Sequence, residues 1–232
     1  GAKTFTGDIT LNNGSTWNEA AVSTYAIAGS ITNNATTFTA STGVHTFSGA
    51  SKTLGGSTAY TIPSVTFTGA YTNNGILTCA NALTVTGVTL TNNGTITATT
   101  TLSGTGGLTQ GAAGVLNLGG TTGITTLTAT AAGNTVNYTG AAQTAKVTTY
   151  HNLTLSGSGI KTFATTPTVN GVLSMEGTAT VTVTTGVVTY GSAATLQYNT
   201  TTGRTVSSEE WITPFAATGG VIIAGTGTIT AN

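Results

Sequence analysis

The chain has 232 residues, only 4% of which are charged, and its five basic and five acidic side chains give a net charge of zero. A disordered chain is excluded because disorder combines low hydrophobicity with high net charge, whereas 38% of these residues are hydrophobic. A nucleic-acid-binding surface is excluded because it requires clustered lysine and arginine, and no apolar run reaches the length of a transmembrane helix. Abundant threonine and valine favour strands, and 33 glycines favour turns, so the composition predicts an all-β protein.

A four-residue segment repeats in the first half of the chain. The sequence TNNG occupies residues 72–75 and recurs at residues 91–94. Between the two copies, apolar and polar residues alternate, which is the period of a half-buried strand. Asn-Gly favours a backbone that must turn with positive φ. Strands and turns therefore close a unit of about 20 residues, and a repeat of this length predicts a stacked architecture.

Turn-like landmarks of this unit recur in steps of 18 to 21 residues. They begin at Asn12, Asn33, Leu54, Asn73, Asn92, Gln110 and Ala131. The spacing predicts a parallel β-solenoid of about eleven coils of roughly 20 residues, which forms a single domain over residues 1–232. Residues one coil apart would lie above one another, so we expect a hydrogen-bonded ladder at the turns from Asn12, Asn33, Asn73 and Asn92.

The spacing loosens after Gly133, and residues 194–215 hold most of the unusual side chains. These are Arg204, Glu209, Glu210, Trp211 and Pro214. We interpret residues 194–215 as an inserted loop or irregular coil in which polar and bulky groups leave the stack. Trp211 is a candidate surface contact, because carbohydrate-binding grooves use exposed aromatic rings. The alternative is that its indole anchors the loop against the coils.

A solenoid also explains the composition of the chain. Stacked ladders would hold like charges a few ångströms apart, so charge is disfavoured, whereas threonine hydroxyls can pair along a ladder. Neither end has a sequence typical of the polar capping segment that covers the end of a solenoid. Joining Asn232 to Gly1 continues the strand-and-turn pattern across the junction. We therefore expect a segment of a longer array, or a subunit that stacks head to tail with copies of itself.

Two segments of the second half resemble a known repeat. Residues 150–163 read YHNLTLSGSGIKTF and are followed by VNGVL at residues 169–173. Residues 194–199 read ATLQYN, and this second segment continues to Glu210 and Trp211. They resemble repeats of very large secreted surface proteins of gliding bacteria and their relatives over residues 145–232. The rest of the chain resembles those repeats only in its general composition and pattern. The resemblance implies a β-helical, adhesin-like protein outside the cell, and it supplies no catalytic residue.

Catalytic and metal sites are not expected. The acidic residues are Asp8, Glu19, Glu176, Glu209 and Glu210. A polysaccharide-cleaving enzyme needs carboxylates that converge in a groove, whereas Asp8 and Glu19 lie half a coil apart. The two adjacent glutamates fit a surface pair with Arg204. His45 and His151 are too far apart in the chain to share a metal, so we predict no enzymatic activity, no cofactor and no metal.

Cys79 stands among apolar neighbours, which predicts a buried side chain that behaves as a small hydrophobe. A reactive thiol is the alternative. The chain has a single cysteine, so it cannot form a disulfide within itself.

The sequence thus predicts an extracellular structural protein, a β-solenoid segment or subunit of a bacterial surface stalk or filament. The alternative is a binding module for surface glycans or ice that uses a threonine-rich face. Thr-x-Thr pairs such as Thr66/Thr68 and Thr84/Thr86 recur, as they do on ice-binding solenoids, yet threonine is also the default outward residue of this chain. Thermal hysteresis would support ice binding, and its absence would exclude ice binding.

Overall fold

The structure is a computed structural model, and it describes residues 1–231. Every regular element in this range is a β-strand. The strands stack in parallel as a β-solenoid of about ten turns, which confirms the predicted fold and comes close to the eleven coils expected. The chain divides into two compact units, Gly1–Leu127 and Thr128–Asn232.

The first unit contains short strands of two to four residues and two long ones near its end. They are β1 (Lys3–Phe5), β2 (Ile9–Leu11), β3 (Thr16–Asn18), β4 (Tyr25–Ile27), β5 (Ile31–Asn33), β6 (Thr37–Thr39), β7 (Val44–Phe47), β8 (Lys52–Gly55), β9 (Tyr60–Thr61), β10 (Ser64–Phe67), β11 (Tyr71–Asn73), β12 (Ile76–Cys79), β13 (Ala82–Val85), β14 (Thr89–Asn92), β15 (Thr95–Ala98), β16 (Thr101–Gln110), β17 (Val115–Leu118) and β18 (Thr121–Thr128).

Each coil of the first unit has three sides, because it contributes one strand to each of three faces. Face A contains β1, β4, β7, β10, β13 and the first part of β16. Face B contains β2, β5, β8, β11, β14 and the last part of β16. Face C contains the pair β3 and β6, followed by β9, β12, β15 and β17. The strand β18 pairs with β16.

The core of the first unit is built from columns of inward side chains. Val65 pairs with Leu83, and Leu83 pairs with Leu102 in the next coil. The ring of Phe47 stacks on that of Phe67, with centroids 5.0 Å apart. All five side chains are at most 1% exposed. The alternating pattern of the strands places these residues inside, since successive side chains of a strand point to opposite sides.

The second unit contains strands of two to five residues. They are β19 (Thr135–Tyr138), β20 (Gln143–Thr144), β21 (Thr149–Tyr150), β22 (Asn152–Leu155), β23 (Ile160–Phe163), β24 (Thr168–Val169), β25 (Val172–Glu176), β26 (Thr180–Val183), β27 (Thr189–Tyr190), β28 (Thr195–Asn199), β29 (Arg204–Thr205), β30 (Val221–Ile223) and β31 (Ile229–Thr230).

The second unit also has three strands in each coil. One sheet contains β19, β22, β25, β28 and β30 in that order, a second contains β20, β23 and β26, and a third contains β21, β24 and β27. After β28 the pattern changes, because β29 pairs with β31 and the chain between β29 and β30 forms no strand. The irregular segment therefore covers residues 206–220, whereas residues 195–199 of the expected loop lie in β28.

Candidate functional site

A ladder of side-chain amides runs inside the first unit, at the end of face B. The Nδ2 atom of Asn73 donates to Oδ1 of Asn92 at 2.8 Å, and Nδ2 of Asn92 donates to Oε1 of Gln110 at 2.7 Å. Both asparagines also donate to backbone carbonyls, Asn73 to Thr95 and Asn92 to Val115. We call Asn73, Asn92 and Gln110 the amide ladder. Its members are buried, and these bonds supply the partners that buried amides require.

The other two residues of the predicted turn ladder lie apart from these three. Asn33 is buried, and its Nδ2 atom donates to the carbonyl of Thr58 at 3.2 Å. In the column of paired residues, the partner of Asn73 in the coil below is Leu54. Asn12 is exposed, and the residue that pairs with Asn33 is Leu11. The reason is that the turn after β2 begins at Asn12, whose carbonyl accepts a bond from the amide of Ser15 at 3.1 Å.

A buried acid–imidazole pair ties the first coils of this unit together. Oε2 of Glu19 lies 2.8 Å from Nε2 of His45, and both side chains are at most 3% exposed. The same carboxylate accepts bonds from the indole N–H of Trp17 at 2.8 Å and from the amide of Ser41 at 2.7 Å. The ring of His45 stacks on that of Tyr25. The bonds therefore join residues that lie far apart in the sequence at one corner of the stack.

The contacts of Glu19 favour its ionised form. Burial raises the pKa of Glu19, but the hydrogen bonds from His45, Ser41 and Trp17 outweigh burial, so the pKa of Glu19 is lowered overall. The carboxylate is thus ionised and can only accept. The Nδ1 atom of His45 faces the carbonyl of Gly43 at 3.1 Å, which also can only accept. Each ring nitrogen of His45 therefore faces an oxygen atom, Nε2 the carboxylate of Glu19 and Nδ1 the carbonyl of Gly43.

In the second unit, a turn holds the irregular segment against the coils. The amide of Ser207 donates to Oε1 of Glu210 at 3.0 Å, and its hydroxyl donates to Oε2 of the same side chain. The hydroxyl of Tyr190 donates to the carbonyl of Glu210 at 2.6 Å. The half-buried ring of Trp211 stacks on Tyr198, with centroids 5.9 Å apart. These contacts favour the interpretation of Trp211 as the anchor of the segment.

Beside Trp211 lies a small pocket of about 90 Å³. It is lined by Val206, Ser207, Ser208, Trp211, Thr213 and Ala231. Hydroxyls and an indole edge meet in this pocket, which is the mixture that a glycan site would use. Its volume is, however, smaller than that of ordinary ligand pockets.

Two cations in the second unit are held without an acidic partner within salt-bridge distance in the described chain. Nζ of the buried Lys161 donates to the carbonyls of Gly140, Ala141 and Ser158, and burial lowers the pKa of Lys161. The guanidinium of Arg204 lies over the ring of Tyr198, 5.4 Å from its centroid, and donates to the carbonyl of Ala179 at 2.6 Å. Both cations thus act as internal donors to backbone oxygens.

The acidic residues do not meet in one groove. Asp8 is exposed and accepts bonds from the amide of Ser30 and from Nζ of Lys52, which lower its pKa. Oε2 of Glu209 accepts a bond from the amide of Val183 at 2.9 Å. In the part of the chain that the structure describes, no group of three or more His, Cys, Asp or Glu side chains could hold a metal ion. Across residues 1–231, no helix is long and apolar enough to cross a membrane.

Cys79 is fully buried at the inner side of β12, where it pairs with Ala98. Burial raises the pKa of its thiol to about 12. The thiolate is the nucleophilic form of cysteine, so the folded chain offers no reactive thiol at this position.

All three faces of the first unit carry outward threonines in columns. Face A has Thr46, Thr66 and Thr84 in register. Face B has Thr53, Thr72, Thr91 and Thr109, and face C has Thr61, Thr78 and Thr97. The columns follow from the parallel register, which places identical positions of successive coils side by side. The array is therefore a property of the whole stack, and no single face is distinguished by it.

No known protein family, no curated protein and no solved structure matches this chain.

Proposed function

We propose that this chain is an extracellular structural protein, a β-solenoid segment or subunit of a bacterial surface stalk or filament that assembles head to tail. The observation that carries the proposal is that the terminal strands have unpaired edges. Within residues 1–231, β1, β2 and β3 pair only towards the second coil, and β30 and β31 pair only towards the coils before them. Each of these strands leaves one edge of N–H and C=O groups free for a further strand.

The side chains of the first coil support axial assembly. Phe5 points inward, because it pairs with the buried Ile27 in the second coil. Ile9 pairs in the same way with the buried Ile31. Phe5, Ile9 and Trp17 are nevertheless half-exposed. Another coil stacked on this end would bury their apolar surface, which stabilises association by about 25 cal/mol for each Å² removed from water.

The last coils of the second unit present a similar surface. Ile223 pairs with the buried Tyr198 and therefore points inward, yet 49% of it is exposed. Its neighbour Ile222 pairs with Gln197, points outward and is 46% exposed. The two residues are similarly exposed, but Ile223 points into the stack and Ile222 points away from it. Substitutions at the two positions therefore test axial and lateral association separately.

Composition and resemblance support the location and the role. A chain with 4% charged residues presents little like-charge repulsion when coils or copies come together. The likeness of residues 145–232 to repeats of large secreted surface proteins favours a place outside the cell.

The experiment compares Ile223→Asp with Ile222→Asp in the full chain. We expect the wild type to form filaments by negative-stain electron microscopy and to sediment as concentration-dependent oligomers. Ile223→Asp should remove both, because it places a charge in the column between stacked ends, whereas Ile222→Asp should assemble normally. Monodisperse wild-type monomers at high concentration would overturn the proposal. Equal effects of both substitutions would assign assembly to lateral contacts.

A second candidate function is binding to ice through a threonine-rich face. The observation that favours it is the presence of in-register threonine columns, of which Thr46, Thr66 and Thr84 on face A form one. We expect thermal hysteresis if this face binds ice, and its loss in Thr66→Tyr with the fold unchanged by circular dichroism. Absence of hysteresis in the wild type would eliminate this candidate.

A further inference from the structure

The chain contains four Asn-Gly pairs, and one of them lacks the contacts that restrain the other three. They are Asn13-Gly14, Asn74-Gly75, Asn93-Gly94 and Asn170-Gly171. Asn-Gly is the dipeptide most prone to lose ammonia from its side chain, because glycine leaves the attacking backbone nitrogen unhindered. The reaction needs a glycine N–H that can lose its proton and a backbone that can close a five-membered ring.

In three of the pairs, the glycine N–H is engaged in a hydrogen bond. The amide of Gly75 donates to Oδ1 of Asn73 at 3.3 Å, and the amide of Gly94 donates to the carbonyl of Asn73 at 3.0 Å. The amide of Gly171 donates to the carbonyl of His151 at 2.7 Å. A bonded amide gives up its proton less easily, and its nitrogen is held away from the side chain that it would attack.

The neighbouring coil also restricts the backbone of two of these glycines. A Cβ atom added to Gly94 would lie 2.1 Å from the carbonyl oxygen of Gly75, and one added to Gly171 would lie 2.4 Å from Oδ1 of Asn152. Such close packing prevents the rotation that ring closure requires. Asn74 is restrained through its side chain, whose Oδ1 accepts a bond from Nδ2 of Asn93 at 3.1 Å.

Asn13-Gly14 lacks all of these restraints. Asn13 lies exposed in the turn between β2 and β3. Among the described residues, the amide of Gly14 has no hydrogen-bond partner, and a Cβ atom added to Gly14 would meet nothing within 4 Å. Gly14 has a φ of +84°, a conformation that glycine adopts freely.

We propose that Asn13 is a site of spontaneous hydrolytic deamidation wherever no further copy covers the first coil, and that the stacked coils protect the other three Asn-Gly pairs. The backbone nitrogen of Gly14 loses its proton and attacks Cγ of Asn13, the Cγ–Nδ2 bond breaks, and Nδ2 leaves as ammonia after taking up a proton. Water then opens the cyclic imide at either carbonyl, which yields aspartate or isoaspartate at position 13. The only co-reactant is water, and no oxidation or reduction occurs.

The product changes the chain in two ways. A carboxylate at position 13 takes the net charge from zero to minus one. Where the imide opens at the α-carbonyl, isoaspartate also adds one methylene to the backbone of the turn. In a chain whose first coil is uncovered, deamidation of Asn13 would therefore increase with the age of the protein without breaking a hydrogen bond between coils.

The test uses the folded full chain at a dilution where it is monomeric, in mildly alkaline buffer, with peptide mapping by mass spectrometry and enzymatic methylation of isoaspartate. The three protected pairs serve as internal controls. We expect deamidation at Asn13 at least tenfold faster than at Asn74, Asn93 or Asn170, and similar rates at all four after unfolding in urea. Asn13→Gln should remove the fast phase, because glutamine must close a larger ring. Equal rates in the folded chain, or a stable Asn13, would overturn the proposal.

Discussion

The side-chain amide of Asn73 donates to Oδ1 of Asn92, 2.8 Å away and one coil further along the chain. Both residues occupy the same position of the sequence repeat, and they pair in the parallel register. Each asparagine of the ladder donates to the amide that the next coil supplies, in addition to a backbone carbonyl. The interior of each coil is therefore completed by its neighbours, as expected for a repeat architecture.

Replacing Asn73 by leucine should destabilise the first unit by about 3 kcal/mol. The change removes donors to Asn92 and to the carbonyls of Gly75 and Thr95, and leaves these buried acceptors without those bonds. The apolar side chain itself fits, since Leu54 already occupies the same column one coil below. Urea unfolding of both proteins gives the difference. An unchanged midpoint would show that the ladder adds nothing to stability.

Replacing Glu19 by glutamine should cost about 3 kcal/mol at neutral pH, because it removes a buried carboxylate that holds Trp17, Ser41 and His45 by hydrogen bonds. The fluorescence of Trp17, followed in a Trp211→Phe background, reports on the first unit during unfolding. Glu19→Asp is the matched variant that keeps the charge and shortens the reach. A loss in Glu19→Asp as large as in Glu19→Gln would show that geometry matters more than charge.

The same pair makes stability depend on pH. The folded-state pKa of Glu19 lies below its ordinary value of 4.5. Its stabilising effect is therefore complete above that value and is lost as the pH falls through the folded-state pKa. We expect the wild type to lose stability below pH 4.5 more steeply than Glu19→Gln, since Asp8 and the other acids contribute equally to both. Parallel curves would contradict this assignment.

Cys79 should resist alkylation by iodoacetamide in the folded chain at neutral pH. The thiol is fully buried and its pKa is about 12, so reaction requires unfolding of the surrounding coils. The labelling rate in increasing urea should follow the unfolded fraction of the first unit. Fast labelling without denaturant would show that the strand β12 opens locally.

Replacing Ser207 by alanine should loosen residues 206–215 at a cost of about 1 kcal/mol. The substitution removes the hydroxyl that donates to Glu210, while the amide of residue 207 can still donate to the same carboxylate. Hydrogen exchange should speed up in this segment alone, and β25 and β28 should remain protected. Faster exchange throughout the second unit would mean that the segment supports the coils themselves.

The parallel stack could be predicted because motifs in the sequence recur at the length of one coil. The two copies of TNNG place Asn73 and Asn92 nineteen residues apart, and the structure pairs the same two residues. The alternation around them identifies the inward side chains, such as Leu83 and Leu102. Where a strand has one buried side, this pattern alone sets the register.

The position of Asn12 shows where such reasoning is limited. Aligning the turn motifs places Asn12 over Asn33, but the structure pairs Leu11 with Asn33. The register is set by the inward position of Ile9 and Leu11, because a slip of one residue would turn both to the outside. A turn motif marks the end of a strand, whereas the buried side chains decide which residues pair.

The pair of Glu19 and His45 could not be predicted from spacing. The two residues are 26 positions apart and lie in a corner and in a strand respectively, so no single period relates them. Their contact depends on the path of residues 19–24, which carry no alternating pattern. Long-range polar contacts at irregular corners therefore cannot be predicted from the sequence repeat alone.

Fibre diffraction from aligned material tests axial assembly most directly. If copies stack end to end, all strands lie across the fibre axis, and the pattern should show a strong meridional reflection near 4.8 Å, the spacing between neighbouring strands. The reflection should disappear with Ile223→Asp and persist with Ile222→Asp. Strand spacing on the equator, or no oriented fibre at all, would contradict head-to-tail stacking.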